Sequence, residues 1–232
     1  MKILVIVPAF NERITIREVI VRIRTFYPQA DILVVSDGST DGTGRVAREA
    51  GVLVLEHSYN MGIGATVQTG LLYALENDYE IAIQIDGDGQ HNPQFLSSVV
   101  EPILQGRSNL VIGSRYLSEG GFKSTSLRKL GIQFFTGLVW IFTGRRITDP
   151  TSGFRAMDRR GIGLFAEDYP SDYPEVEALV LAHKKGLGIE EVPVQMRPRR
   201  RGTSSIGFLS AIYYMMKVTL SISIGFFRGA KG

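Results

Sequence analysis

The order of segments in this chain predicts an α/β fold, a mostly parallel sheet flanked by helices. Three observations carry that prediction. Short β-branched apolar runs alternate with stretches of helical spacing, each run ends in a cluster of polar residues, and 232 residues with 44% hydrophobic content suffice for one large domain. The first run is Ile3 to Val7, followed by a helical pattern over Ile14 to Phe26. Ile32 to Val35 then precedes a helix over Thr43 to Ala50, and Val52 to Leu55 precedes one over Ile63 to Leu75. Ile81 to Ile85 leads into Pro93 to Gln105, and Leu110 to Ile112 closes the series. Strand–helix alternation of this kind requires right-handed crossovers and buries the sheet on both faces.

In such sheets ligands bind beyond the carboxyl ends of the strands. The residues that follow the five runs are Asn11-Glu12, Ser36-Asp37-Gly38-Ser39, His57-Ser58, Asp86-Gly87-Asp88 and Ser114-Arg115. They gather along one edge, and a metal-dependent nucleotide site accounts for that clustering better than five unrelated turns. Asp86 and Asp88 are the strongest part of the signal, because an apolar strand stops abruptly at two carboxylates two residues apart. Mg²⁺ and Mn²⁺ prefer oxygen ligands, and Mg²⁺ takes one or two protein carboxylates and leaves its other positions to water and phosphates. Asp-Gly also builds ordinary turns, so a plain strand-to-helix turn uses the same letters. A calcium-binding EF-hand loop would need Gly and Glu where His91 and Ser97 stand, and is excluded.

Composition narrows the function further. Lys and Arg total 26 against 23 Asp and Glu, a net charge of +3 that is too small to indicate nucleic acid. The absence of cysteine rules out a disulfide framework, a thiolate metal site and a cysteine nucleophile. The N-terminus enters the first strand without a cleavage-site pattern, so no signal peptide is expected and the catalytic face should be cytoplasmic. Gly62-Ile63-Gly64 lacks the third glycine of a dinucleotide fingerprint and does not follow the first strand, and Gly-x-Ser-x-Gly is absent. An oxidoreductase and a serine hydrolase are thereby disfavoured.

Beyond about residue 116 the alternation lapses. Leu127 to Phe142 is apolar, with Trp140 near its end and Arg145-Arg146 after it, but is shorter than the roughly 20 residues that span a bilayer. It suits a core helix or an interfacial one. Ile206 to Phe227 carries Ser210, Tyr214, Lys217, Ser221 and Arg228 on one helical stripe, which suits amphipathic helices lying at a membrane interface. A central Lys217 makes a transmembrane reading costly. The expected division is a catalytic domain over residues 1–205 and a membrane-associating helical segment over 206–232.

Seven elements of the sequence then resemble one family. They are Val7-Pro8-Ala9-Phe10-Asn11-Glu12, Val35 to Thr43, Asn60-Met61-Gly62, Asp86 to Pro93, Gly113-Ser114-Arg115-Tyr116, Asp149 to Arg155 and Arg199 to Ser204. In this order they are similar to the inverting family 2 glycosyltransferases of GT-A (Rossmann-like) fold, and within them to the polyprenyl-phosphate glycosyltransferases. The resemblance implies a UDP- or GDP-sugar donor held against Pro8, Ala9, Asn11, Glu12, Asp37 and Gly62, with Asp37 accepting a hydrogen bond from a base N–H. Asp37 would serve equally as a helix N-cap, and the two roles coexist. It further implies a Mg²⁺ or Mn²⁺ site of Asp86, Asp88 and Gln90 beneath the donor phosphates, with Gly87 between the carboxylates. His91 is read as a supporting or turn residue.

On the acceptor side the resemblance places Arg115, Arg128, Arg155, Arg199 and Ser204 near the phosphate of a polyprenyl lipid, a chemistry that guanidinium groups suit. The run Arg197 to Arg201 would also suit anionic headgroups, and it lacks the aromatic platform that a nucleic-acid site would add. Ser205 stands where dolichol-phosphate mannose synthases commonly carry Lys, which weakens a mannosyl donor. Asp86, Asp88, Arg115 and Asp149 are the expected catalytic residues. Asp149, then Glu175 and Glu177, are the base candidates should the acceptor be a saccharide hydroxyl; capping a turn or opening a helix is their plain alternative. The expected setting is peripheral, at the inner face of the cell membrane, with a second copy or a membrane-embedded partner supplying any further anchor. A non-catalytic nucleotide-binding docking module is the reading of another class, and it leaves the intact Asp86/Asp88/Gln90 set without a purpose.

Overall fold

The computed structural model describes residues 1–117, 126–170, 174–197 and 215–224. Its elements are β1 (Ile3–Ala9), α1 (Ile16–Phe26), β2 (Asp31–Asp37), α2 (Thr43–Glu49), β3 (Leu53–His57), α3 (Ile63–Glu76) and β4 (Ile81–Gln84). A 3-10 turn at Pro93–Phe95 leads into α4 (Leu96–Leu104). Then come β5 (Leu110–Ser114), α5 (Ser126–Thr143), β6 (Arg155–Asp158), α6 (Arg159–Glu167), α7 (Pro174–Lys184) and β7 (Ile189–Pro193), with a further helix over 215–224.

The strands form one mixed sheet in the order β3-β2-β1-β4-β6-β5-β7. β1 lies parallel to β2 and β4, β2 to β3, and β5 to β7. β6 runs antiparallel between β4 and β5. The pleat explains the two cores: Leu4 and Ile6 of β1 join Leu33 and Val35 of β2 in one, while Ile3, Val5 and Val7 join Ile32 and Val34 in the other. The first core is covered by α3, α5, α6, α7 and the helix over 215–224, the second by α1, α2 and α4, so the strands read as unbroken apolar runs instead of alternating ones.

The expected strands and helices of the first half are present, with shifts of a few residues at their ends. β6 was invisible to periodicity because Arg-Ala-Met-Asp has no β-branched residue; its place is set by pairing on both sides. α5 buries Ile132, Phe135, Leu138 and Val139 yet exposes Leu130, Phe134, Trp140 and Ile141. The helix over 215–224 buries Val218 and Ile222, donates Ser221 Oγ to Glu177 Oε2 at 2.8 Å, and exposes Met216, Leu220 and Ile224. Among the described residues no helix is long and apolar enough to cross a membrane.

Candidate active site

The end of β4 carries both carboxylates, Asp86 and Asp88, out of the sheet beside the end of β1. Past the last β4 residue the pairing continues, with Ile85 N donating to Ile6 O at 3.0 Å and Gly87 N to Pro8 O at 3.1 Å. Asp86 therefore leaves the sheet beside Pro8 and Ala9. Its backbone N–H donates to His91 Nδ1 at 2.9 Å, which places the proton of a neutral ring on Nε2, 3.5 Å from Asp86 Oδ2. The buried imidazole stacks on Phe154, ring centroids 5.2 Å apart. His91 thus braces Asp86 from backbone and side chain together, as the supporting residue the sequence suggested.

The carboxylates suit a hard cation. Asp86 Oδ1 is buried without a hydrogen-bond partner, an oxygen that a cation would satisfy. Asp88 Oδ1 accepts from Gln90 N at 2.9 Å, and the Gln90 side-chain amide lies against Asp88 Oδ2. No three of His, Cys, Asp and Glu converge among the described residues. The protein would then offer two carboxylates and an amide oxygen, with water and donor phosphates completing the shell, the arrangement Mg²⁺ favours. Gly153 packs against this loop so closely that a Cβ there would stand 3.1 Å from Gln84 Nε2 and 3.5 Å from both Asp86 oxygens.

On the β1–β2–β3 side, loops are stitched to one another. Asn11, at φ 56°, donates its N–H to Ser39 Oγ at 3.1 Å and accepts from Thr40 N at 3.0 Å. Glu12 N donates to Thr43 Oγ1 at 2.8 Å, and Glu12 Oε2 accepts from Thr15 Oγ1 at 2.8 Å. Asp37, at the end of β2, accepts from Met61 N at 2.8 Å, Gly62 N at 2.9 Å and the His57 ring at 2.8 Å. Pro8, Ala9, Asn11, Glu12, Asp37 and Gly62 are therefore brought to one sheet edge with Asp86 and Asp88. His57 had drawn notice only as a polar residue after a strand; its place at the sheet edge was the one signal for its role.

The other side of the edge is built on buried charge. Asp149, fully buried, receives Arg115 Nε and Nη2 at 2.6 Å each and Arg115 N at 3.0 Å. Burial disfavours the guanidinium charge, yet Asp149 holds the Arg115 pKa above the ordinary arginine value. This geometry differs from the expectation of Asp149 as a base, since both its oxygens are committed to Arg115 within a closed interior. Glu191 in turn accepts from Thr148 N at 2.7 Å and Asp149 N at 2.9 Å, and burial raises its pKa in spite of those donors. Glu191 was not foreseen, because the Glu190-Glu191 pair in β7 belongs to no local motif.

Arg155 also departs from expectation. Its Nε donates to Ser152 O at 2.8 Å and its Nη2 to Pro150 O at 3.1 Å and Glu175 O at 2.6 Å, and the residue is buried. These contacts tie the Asp149–Arg155 turn to the start of α7 and give Arg155 a bracing position inside the protein. Glu175, in that first turn, has its pKa raised by burial, with Arg155 opposing and Asp86 adding to the shift. Arg128 lies in the first turn of α5; Arg199 and Ser204 lie outside the described residues.

Residues 4–163 match the family described as Glycosyl transferase family 2. The chain is a family 2 glycosyltransferase. It is 32% identical to the UDP-N-acetylglucosamine–dolichyl-phosphate N-acetylglucosaminyltransferase of Methanococcus voltae, over 83% of this chain and 84% of that protein. It is also 32% identical to the polyprenol monophosphomannose synthase of Mycolicibacterium smegmatis, over 93% and 84% of the two chains. Among solved structures, glucosyl-3-phosphoglycerate synthase from Mycobacterium tuberculosis, in complex with Mn²⁺, UDP and phosphoglyceric acid, superposes with a TM-score of 0.73 at 21% identity, over 97% of this chain and 78% of that one. That likeness establishes the GT-A fold of this family 2 glycosyltransferase.

Proposed function

We propose that this glycosyltransferase moves one sugar from a UDP- or GDP-sugar to the phosphate of a polyprenyl lipid, at the inner face of the cell membrane. The observation that carries the reading is the commitment of Asp149 to Arg115. A saccharide hydroxyl must lose a proton as it attacks, which calls for an accessible base. A phosphate monoester oxygen is already anionic at neutral pH and needs none. The names of the two relatives, which act on dolichyl phosphate and form a polyprenol phosphosugar, support the same acceptor.

In this reading Asp86, Asp88 and Gln90 hold Mg²⁺ or Mn²⁺, which when bound neutralises charge building on the departing nucleoside diphosphate. His91 keeps Asp86 oriented, and the stitched loops around Asp37 position the donor. Arg115, its charge balanced by Asp149 and its head held by Thr151 and the turn above Glu191, is proposed to fix the shape of the acceptor side. Catalysis then rests on positioning and charge neutralisation. Arg128, Arg199 and Ser204 are proposed to meet the acceptor phosphate. The exposed apolar residues of α5 and of helix 215–224, with Arg145 and Arg146 beside them, give a surface suited to lipid.

One observation favours a second reading. Glu175 has a raised pKa and lies within electrostatic reach of Asp86, as a base for a saccharide hydroxyl would. Incubating the protein with labelled UDP- and GDP-sugars, Mg²⁺ or Mn²⁺ and detergent-solubilised undecaprenyl phosphate separates the two. A solvent-extractable lipid-linked sugar is expected; transfer only to saccharides would replace the proposal by the second reading.

A further inference from the structure

The hydrogen bonds at Asp37 limit which nucleobase the donor pocket can read. A carboxylate offers about four lone-pair positions, two on each oxygen, and only accepts. Oδ1 receives Met61 N–H and the His57 ring, both at 2.8 Å, and Oδ2 receives Gly62 N–H at 2.9 Å. Among the described residues three positions are therefore taken and one remains, on Oδ2. The arrangement is built to last. His57 Nε2 is itself 2.9 Å from Thr69 Oγ1 on α3, so the ring is gripped at both nitrogens. Gly38, at φ +64°, passes so near the loop that a Cβ would stand 2.4 Å from the Tyr59 carbonyl carbon.

The three pyrimidine and purine edges differ in what they ask of such an acceptor. Uracil presents one N–H, at N3, and needs one lone pair. Guanine presents N1–H and N2–H side by side and pairs with a carboxylate through both oxygens. Cytosine presents a bare N3 and would set acceptor against acceptor. Taking the donor-site reading above as its basis, we infer that the Asp37–His57–Met61–Gly62 cluster makes this enzyme selective for uridine diphosphate sugars. His57 acts as a positioning residue: by occupying Oδ1 it denies guanine its second contact.

The test is calorimetric titration of the full chain, with saturating Mn²⁺, using UDP, GDP, CDP and N3-methyl-UDP. UDP should bind tighter than each of the other three by about tenfold or more, because a buried acceptor left unpaired is costly. In the His57→Phe variant, which frees one position on Oδ1, the UDP-to-GDP ratio should fall while Mn²⁺-dependent pyrophosphate binding stays as in the wild type. GDP binding as tightly as UDP to the wild type, or N3-methyl-UDP matching UDP, overturns the inference and leaves the glycosyltransferase proposal standing. Binding of none of the four overturns both. The wild-type series decides the matter even if the variant fails to fold.

Discussion

The two halves of the site edge hold their functional groups by different means. Around β1, β2 and β3 the carboxylates of Asp37 and Asp41 collect backbone N–H groups from neighbouring loops, so one charge orders several residues of chain. Around β5, β6 and β7 the charges are paired or bonded to carbonyls inside the protein, as Arg115 with Asp149 and Arg155 with its turn. The first arrangement fills most of the carboxylate positions with loop amides and leaves one on Asp37 Oδ2. The second commits ionisable groups to one another inside the protein, so that neither oxygen of Asp149 is open for proton transfer.

The sharpest test lies where the halves meet. Asp88→Asn should lower turnover by about 10³-fold, the scale of losing a preorganised electrostatic contact, while the melting temperature stays within about 2 °C of wild type. Metal-titrated activity and thermal melts read both; full activity would remove the metal assignment. On the buried side, Asp149→Asn leaves the Arg115 charge without its partner and should cost roughly 3–5 kcal/mol in urea unfolding. The double change Arg115→Met with Asp149→Leu should recover most of that stability but not activity. A cost of the double change equal to the sum of the two single-change costs would show that the pair is not a unit.

On the donor side, Gly38→Ala forces a left-handed residue and a clash with the Tyr59 backbone. It should cost roughly 1–2 kcal/mol and raise the donor KM more than it lowers kcat. The smallest effect concerns Glu175. Its folded pKa lies above the unfolded value, so the folded state binds the extra proton and wild-type stability falls as pH rises from the ordinary carboxylate range through the raised value. Glu175→Gln lacks that penalty, so its melting temperature should gain on wild type as the pH is raised. Transfer to a lipid phosphate should survive the change, whereas a hydroxyl-acceptor enzyme would lose it.

The same contrast decides what could be read from the sequence. The strands and helices through Leu110–Ser114 were legible because each is a local pattern, an apolar run or a helical spacing, punctuated by Asn, Asp, Gly and Ser. Asp86 and Asp88 stood out for the same reason. The second half depends on contacts distant in sequence. Arg155 has its expected motif, but its burial against Glu175 O follows from β6 pairing between β4 and β5, which four residues without β-branching do not announce. Asp149 was recognisable as a residue of the site, yet its commitment to Arg115, 34 positions away, is a property of packing. Of the polar stripe expected within 206–232, Ser210, Tyr214 and Arg228 lie outside the described residues; that Ser221 meets Glu177 while Met216, Leu220 and Ile224 face outward needed the fold.

The central claim is that the acceptor arrives already anionic and that no side chain has to deprotonate it. Comparing kcat/KM for undecaprenyl phosphate with that for undecaprenol, with one donor and one metal, addresses it directly. The account predicts transfer to the phosphate and none measurable to the alcohol, with a rate that Asp149→Leu/Arg115→Met alone among the buried-pair variants abolishes without unfolding the protein. Comparable transfer to undecaprenol or to a saccharide hydroxyl would contradict it.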